Sequence, residues 1–199
     1  MKKINLAICL GLIFAVVLNF ARFDTLCNDL RHNVLRLHIV ANSDSSQDQN
    51  LKLAVRDAIL HAKGEAFGEC ENLDEAISFA SNNAEEFKNI ALSVIKENGY
   101  DYDVEVFVGD SYFGNREYDD FTLPAGTYES LNIRIGEANG KNWWCVCFPA
   151  VCIGAACDLR DGVSNDSAEI AEQSEKLEIK FKTVEIYEEI KKFFLKSEN

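Results

Sequence analysis

Positive charge is scarce in this chain. Twenty lysines and arginines stand against 33 aspartates and glutamates, a net charge of −13 over 199 residues. That balance argues against a nucleic-acid partner, whose phosphates demand Lys and Arg, and against charge-driven adhesion to anionic lipid headgroups. The acidity reads as solubility, with a steering field toward a basic partner as the sharper alternative. Histidine is scarce too: only His32, His38 and His61 are present. G-x-S-x-G, H-E-x-x-H, P-loop and G-x-G-x-x-G motifs are all missing, and with them the commonest hydrolase, metalloprotease, nucleotide and dinucleotide sites. A Cys–His pair such as His38 with Cys145 has no spacing to support it. No cofactor, metal or small-molecule substrate is expected. What the chain does have is a globular balance, 47% hydrophobic and 27% charged, enough for one domain and a tail.

The N-terminus carries Lys2-Lys3 and then an apolar run from Ile4 to Phe20, broken only by Asn5 and Asn19. A positive start before a hydrophobic segment is a signal peptide or an N-terminal membrane anchor, over residues 1–22. Ala21 is a candidate cleavage position, although Asn19 fits a small-x-small site poorly. Neither Cys9 nor Cys27 sits where a lipid-carrying cysteine should. The lysines stay on the side of synthesis, so the domain expected from Asn33 to the C-terminus works across the membrane.

Val34–Val40 alternates as a strand, with His38 opposite Leu37 and Ile39 and read as a satisfied structural residue. A polar link, Ala41–Ser45, leads to a capping box at Ser46-x-x-Gln49 and a helix with Leu51, Val55, Ile59 and Ala62 on one stripe. Asn72-x-x-Glu75 caps a second helical stretch carrying Leu73 to Val94, with Ser81-Asn82-Asn83 as a break and Asn98-Gly99 as its end. Asp103–Val108 reads as a strand with Val104, Val106 and Val108 inward, and Tyr112–Thr122 as an edge strand. Thr127–Ile135 puts Leu131, Ile133 and Ile135 on one face and Ser130, Asn132 and Arg134 on the other. A turn over Gly136–Asn142 leads to Trp143–Phe148, an apolar run expected to be a central strand covered on both faces and ended by Pro149. Trp143 and Trp144 must then point to opposite faces, one into the core. Residues 158–173 read as a flexible surface loop, Lys176–Thr183 as a half-buried strand and Val184–Lys196 as a final helix. Helices before a run of strands predict an α+β domain, an antiparallel sheet with helices on one face.

Two separated blocks carry a resemblance. Arg36-x-His38-x-x-Ala41-Asn42-Ser43-Asp44 followed by Asp48-Gln49-x-Leu51-Lys52-x-x-Val55-Arg56-Asp57 is the first. Leu123-Pro124-Ala125-Gly126-x-Tyr128-x-Ser130-Leu131 followed by Gly140-x-Asn142-Trp143-Trp144-Cys145 is the second. Both resemble the stage II sporulation protein R family, and Phe181-Lys182-Thr183-Val184-Glu185 is similar to its final segment. The resemblance implies a signalling protein made in the forespore and exported into the space between forespore and mother cell. There it would activate a membrane-embedded aspartic-type peptidase that matures pro-sigma-E. It implies no catalytic residue in this chain. The partner-binding candidates are Asn42, Asp44, Arg56, Asp57, Asn142, Trp143 and Trp144. The alternatives are an exported hydrolase, using His38 with a cysteine or Asp44, and a binding protein of the cell-wall interspace.

Seven cysteines are present: Cys9, Cys27, Cys70, Cys145, Cys147, Cys152 and Cys157. C-x-C in a strand matches zinc knuckles poorly. A reversal at Pro149 can bring Cys145 and Cys152 to within ~6 Å, and the family pattern, Trp-Trp-Cys-x-x-x-Pro then Cys, singles out the same pair as a disulfide. Ala150 stands where a second proline is usual in the family. Cys147 and Cys157 read as small buried apolar residues.

Overall fold

The computed structural model describes residues 2–118, 121–150, 159 and 162–196. In chain order these form α1 (Lys2–His32), β1 (Leu35–Val40), α2 (Ser46–Gly68), α3 (Leu73–Asn82), α4 (Ala84–Glu97), β2 (Val104–Phe113), β3 (Arg116–Glu117), β4 (Thr122–Leu123), β5 (Gly126–Ile135), β6 (Asn142–Phe148), α5 (Asn165–Glu172) and α6 (Ser174–Lys196). The class is α+β, as expected. The chain falls into two compact units: residues 32–112 with 127–163, and residues 1–31 with 113–126 and 164–199.

The first unit is built on a four-stranded sheet in the order β2-β5-β1-β6. Two expectations are corrected here. The sheet is mixed, because β1 pairs parallel with β5, Arg36 opposite Ser130 through Val40 opposite Arg134. A parallel pair needs a long crossover, and α2, α3, α4 and β2 supply it. Second, β6 is an edge strand, not a central one: β1 lies between β5 and β6, pairing antiparallel with the latter. The two strands flanking the Gly136–Asn142 turn are therefore not neighbours. The apolar run of β6 comes from one face packed on helices and a buried C-terminal end, Cys145 to Phe148.

Leu35, Leu37 and Ile39 of β1, Leu131, Ile133 and Ile135 of β5, and Val104 of β2 form one buried face. Against it lie Leu51, Val55 and Ile59 of α2, Ala76 and Ala80 of α3, and Phe87, Ala91 and Ile95 of α4. The stripe at steps of four and three thus does what its spacing predicts. Phe67, Phe79 and Phe87 join the three helices, with ring centroids 5.0–6.4 Å apart. The cap of α2 is Ser45 rather than Ser46: its Oγ accepts from Asp48 N at 3.1 Å. The Asn72 cap forms as expected, accepting from Glu75 N at 3.0 Å, and the helical stretch breaks at Asn83. Gly99 ends α4 at φ +83°, a conformation that only glycine adopts cheaply.

In the second unit, Phe23 and Cys27 of α1 pack on Phe181 and Val184 of α6. Arg31 is buried beside them, donating from Nε to Ala125 O at 3.0 Å. Asp24 and Glu188 lie 3.6 and 3.7 Å from its guanidinium, so the buried charge is matched. Asn115 accepts from Ala125 N at 2.7 Å and donates to Phe181 O at 3.1 Å.

The C-terminal expectations also change. Residues 165–172 are helix, with Ser164 as N-cap and Ser167, Ala168 and Ala171 buried, where a loop was expected. Lys176–Thr183 belongs to α6 and is not a strand. Leu177 and Phe181 share a face at either period, i and i+4. Ile179 decides between them, because a strand would bury it with its neighbours and the helix leaves it 83% exposed. Leu, Glu and Lys favour helix locally, and no glycine or proline interrupts residues 163–199.

Candidate functional site

The first of the resembling blocks meets the second at the β1–α2 link. Asn42 is the centre of the join. Its Nδ2 donates to Asp48 Oδ2 at 2.9 Å, its Oδ1 accepts from Glu137 N at 3.0 Å, and its carbonyl accepts from Asn139 N at 3.1 Å. Ala41 O accepts from Gly140 N at 2.9 Å. Asp44 Oδ1 accepts from Lys141 N at 2.7 Å, and Lys52 Nζ donates to Lys141 O at 2.8 Å. A side chain at Gly136, where φ is +57°, would collide with Asn42, and one at Gly140 with the Ser43 carbonyl. Asn42 and Asp44 are thus latches holding the β5–β6 turn against the β1–α2 link. Asn42 is half-buried and Asp44 exposed.

Asp48 anchors this join from below and is almost fully buried. Burial alone would raise its pKa. Hydrogen bonds from Ser43, Asn42, Tyr102 and Ser45 favour the charged form and together hold the carboxyl below its ordinary value. Lys52, also buried, is shifted down by desolvation, against the opposing pull of the Asp44 charge.

Beyond the latch, β6 carries its two tryptophans to opposite faces, as the alternation of a strand requires. On the helix side, Trp143 pairs with Ile39 and packs on the core. The Arg56 guanidinium sits over its ring, 4.4 Å from the centroid, and Asp57 Oδ1 lies 2.6 Å from Arg56 Nη2. Asp57 is exposed and Arg56 half-buried. Three of the seven candidates therefore meet at one place. Trp143 Nε1 is buried with no hydrogen-bond acceptor among the described residues.

On the other face, Trp144 pairs with His38, their rings 6.5 Å apart. His38 Nδ1 is 2.9 Å from Asn132 Oδ1 and Nε2 is 3.0 Å from Asn142 Oδ1. Asn132 is fixed by donating Nδ2 to Ser130 O and Ser130 Oγ, both at 3.0 Å, and Ser111 Oγ donates to its Oδ1 at 2.9 Å. This band of Ser111, Ser130, Asn132, His38 and Asn142 crosses all four strands. The period of β5 placed Ser130 and Asn132 on this face, but nothing in the sequence joined them to His38, because the β5–β1–β6 order was not legible.

His38 and Cys145 lie on opposite faces, since Leu37, not His38, pairs with Cys145. They cannot form a nucleophile–base dyad, which needs hydrogen-bond reach. Cys152 and Cys157 lie outside the described residues, and with them the Cys145–Cys152 disulfide expectation. Cys147 is buried, as its reading required. At the N-terminus, α1 is long and apolar enough to cross a membrane by length and composition, compatible with a signal or an anchor.

A family model described as stage II sporulation protein R matches residues 31–158. The stage II sporulation protein R of Bacillus subtilis (strain 168) is 32% identical over 156 residues, covering 78% of this chain and 66% of that relative. The chain thus spans about two thirds of the relative's length. No solved structure matches. The matched range takes in both blocks that the Asn42 and Asp44 latches join, and this chain belongs to the stage II sporulation protein R family.

Proposed function

We propose that this chain is an intercellular sporulation signal. It is made in the forespore, crosses the forespore membrane through α1, and folds in the space between forespore and mother cell. There it activates a membrane-embedded aspartic-type peptidase, which matures pro-sigma-E in the mother cell. The observation that carries this reading is the join itself. Two blocks 97 residues apart, as measured from Asp44 to Lys141, are latched together and flank an edge strand bearing a tryptophan on each face.

Such a ligand shifts its receptor only through a difference in affinity between the active and inactive states. Trp143 with Arg56 and Asp57 on one side, and Trp144 with Asn142 on the other, offer the aromatic and guanidinium groups that dominate interface energies. Asn42 and Asp44 act indirectly, by setting the position of the turn that leads into β6.

The test is co-production of the full chain with the peptidase and the sigma-factor precursor in a bacterium that makes no spores. Cleavage of the precursor that depends on the chain supports the reading. Cleavage no greater than in cells lacking the chain sinks it.

A further inference from the structure

Among the described residues, every exposed large apolar side chain lies on α1 or α6. On α1 these are residues of the apolar run, Ile4 to Leu18. On α6 they are Ile179, Ile186, Tyr187, Ile190, Phe193 and Phe194. Apart from Tyr187, the α6 residues follow one another at steps of seven, four, three and one, a single stripe on a helix of 3.6 residues per turn.

The direction of this stripe follows from how α6 meets α1. Tyr187 reaches Phe20, with ring centroids 6.2 Å apart, and Lys180, two turns earlier on the same side, lies 5.5 Å from the Phe23 ring. Glu188, one residue on, reaches Arg31 at 3.7 Å. Phe20 and Arg31 are separated by roughly 16 Å along α1, at 1.5 Å per residue. Arg31 reaches back along α1 to Asp24, so Tyr187 and Glu188 meet α1 on either side of the Phe23 and Cys27 contact. The Glu188 side faces the end of α1 at Arg31, and the Tyr187 side faces its apolar N-terminal run. Ile186 and Ile190 stand two residues either side of Glu188, about 200° around the helix from it. The apolar stripe is turned the same way as the lipid-soluble part of α1.

We propose that α6 is a second membrane element, an interfacial helix that beds Ile179, Ile186, Ile190, Phe193 and Phe194 into the lipid surface beside the point where α1 leaves it. An interfacial helix lies along the bilayer plane, where an apolar face enters the acyl boundary while charged side chains stay in the headgroups. Lys191 and Lys192 precede Phe193-Phe194 and can meet lipid phosphates. The attachment is driven by apolar burial and does not depend on the overall acidity of the chain. It rests on α1 being a membrane segment, but not on the identity of the peptidase. Its consequence is positional: a signal held on the bilayer searches for an embedded receptor in two dimensions.

The experiment uses the full chain reconstituted in phosphatidylcholine vesicles whose lipids carry bromine on the acyl chain, a short-range quencher of tryptophan. Phe14→Trp reports on α1, Phe193→Trp on the stripe and Glu189→Trp on the charged side of α6, each read against the unsubstituted protein with its two native tryptophans. Phe14→Trp and Phe193→Trp are expected to emit to the blue and to lose emission in brominated vesicles, while Glu189→Trp does neither. Quenching at Phe14→Trp without quenching at Phe193→Trp overturns the interfacial helix and leaves the anchor intact. No quenching at Phe14→Trp overturns the anchor, and the proposal with it. A blue shift at Phe193→Trp that grows with protein concentration but is insensitive to bromine assigns the stripe to a second copy and also overturns the proposal.

Discussion

Asp44 Oδ1 accepts a hydrogen bond from the backbone N–H of Lys141 at 2.7 Å, and through it the start of α2 sets the entry of β6. With Asn42, it makes the geometry of the tryptophan-bearing strand depend on a link far away in sequence.

Asn42→Ala removes an acceptor for Glu137 N and a donor to Asp48 together. A loss of about 1–3 kcal/mol is expected, the cost of leaving half-buried polar groups unmatched. Denaturant titration in detergent checks it. Signalling should fall with stability and recover on cooling toward the stability maximum. A variant of unchanged stability with no signalling would instead make Asn42 a direct contact.

Gly140→Ala places a methyl against the backbone carbonyl of Ser43, which has little room to give. Overpacking of this kind costs about 1–3 kcal/mol. Gly11→Ala, with open space around the added carbon in the middle of a helix that alanine favours, is the control and should not destabilise.

The Asp48 carboxyl is held below its ordinary pKa by its hydrogen bonds, despite burial. A depressed folded-state pKa contributes stability that is complete above the unfolded value and is lost as pH falls through the folded one. The protein should therefore lose stability as pH drops below about 4, and Asp48→Asn should flatten that slope while lowering stability at neutral pH. A slope unchanged in Asp48→Asn would show that other carboxylates carry it.

Asp57 is exposed and bonded only to its neighbour Arg56 in the described structure. Asp57→Asn should change stability by no more than about 0.5 kcal/mol, as surface substitutions do. If this corner of the molecule meets the receptor, precursor cleavage should fall by about tenfold or more, the scale of an interface residue worth roughly 1.4 kcal/mol. Unchanged cleavage would remove Asp57 and, with it, the Arg56 corner from the receptor surface.

His38→Ala and Cys145→Ser separate signalling from hydrolysis. The two side chains lie on opposite faces of the sheet, so under the proposed signalling role folded variants of both should still support precursor cleavage. Loss of activity in both folded variants would revive a hydrolytic role.

Much of this architecture was legible from local pattern. The stripe of α2, the Asn72 cap, the break at Asn83, the inward valines of β2 and the opposed tryptophans all follow from side-chain periodicity and hydrogen-bonding chemistry within a few residues. The two blocks around Asn42 and Asn142 were visible as well, but as a pair of binding candidates; that Asn42 and Asp44 hold one block to the other depends on atoms 95 and 97 residues away. The placement of β1 between β5 and β6 was decided the same way, because a strand's pattern states which side is buried and not which strand lies beside it. The last helix shows the limit most clearly: Leu177 and Phe181 satisfy both a strand and a helix, local propensity leans to helix, and packing against Phe23 and Cys27, with Ile179 left outside, settles it.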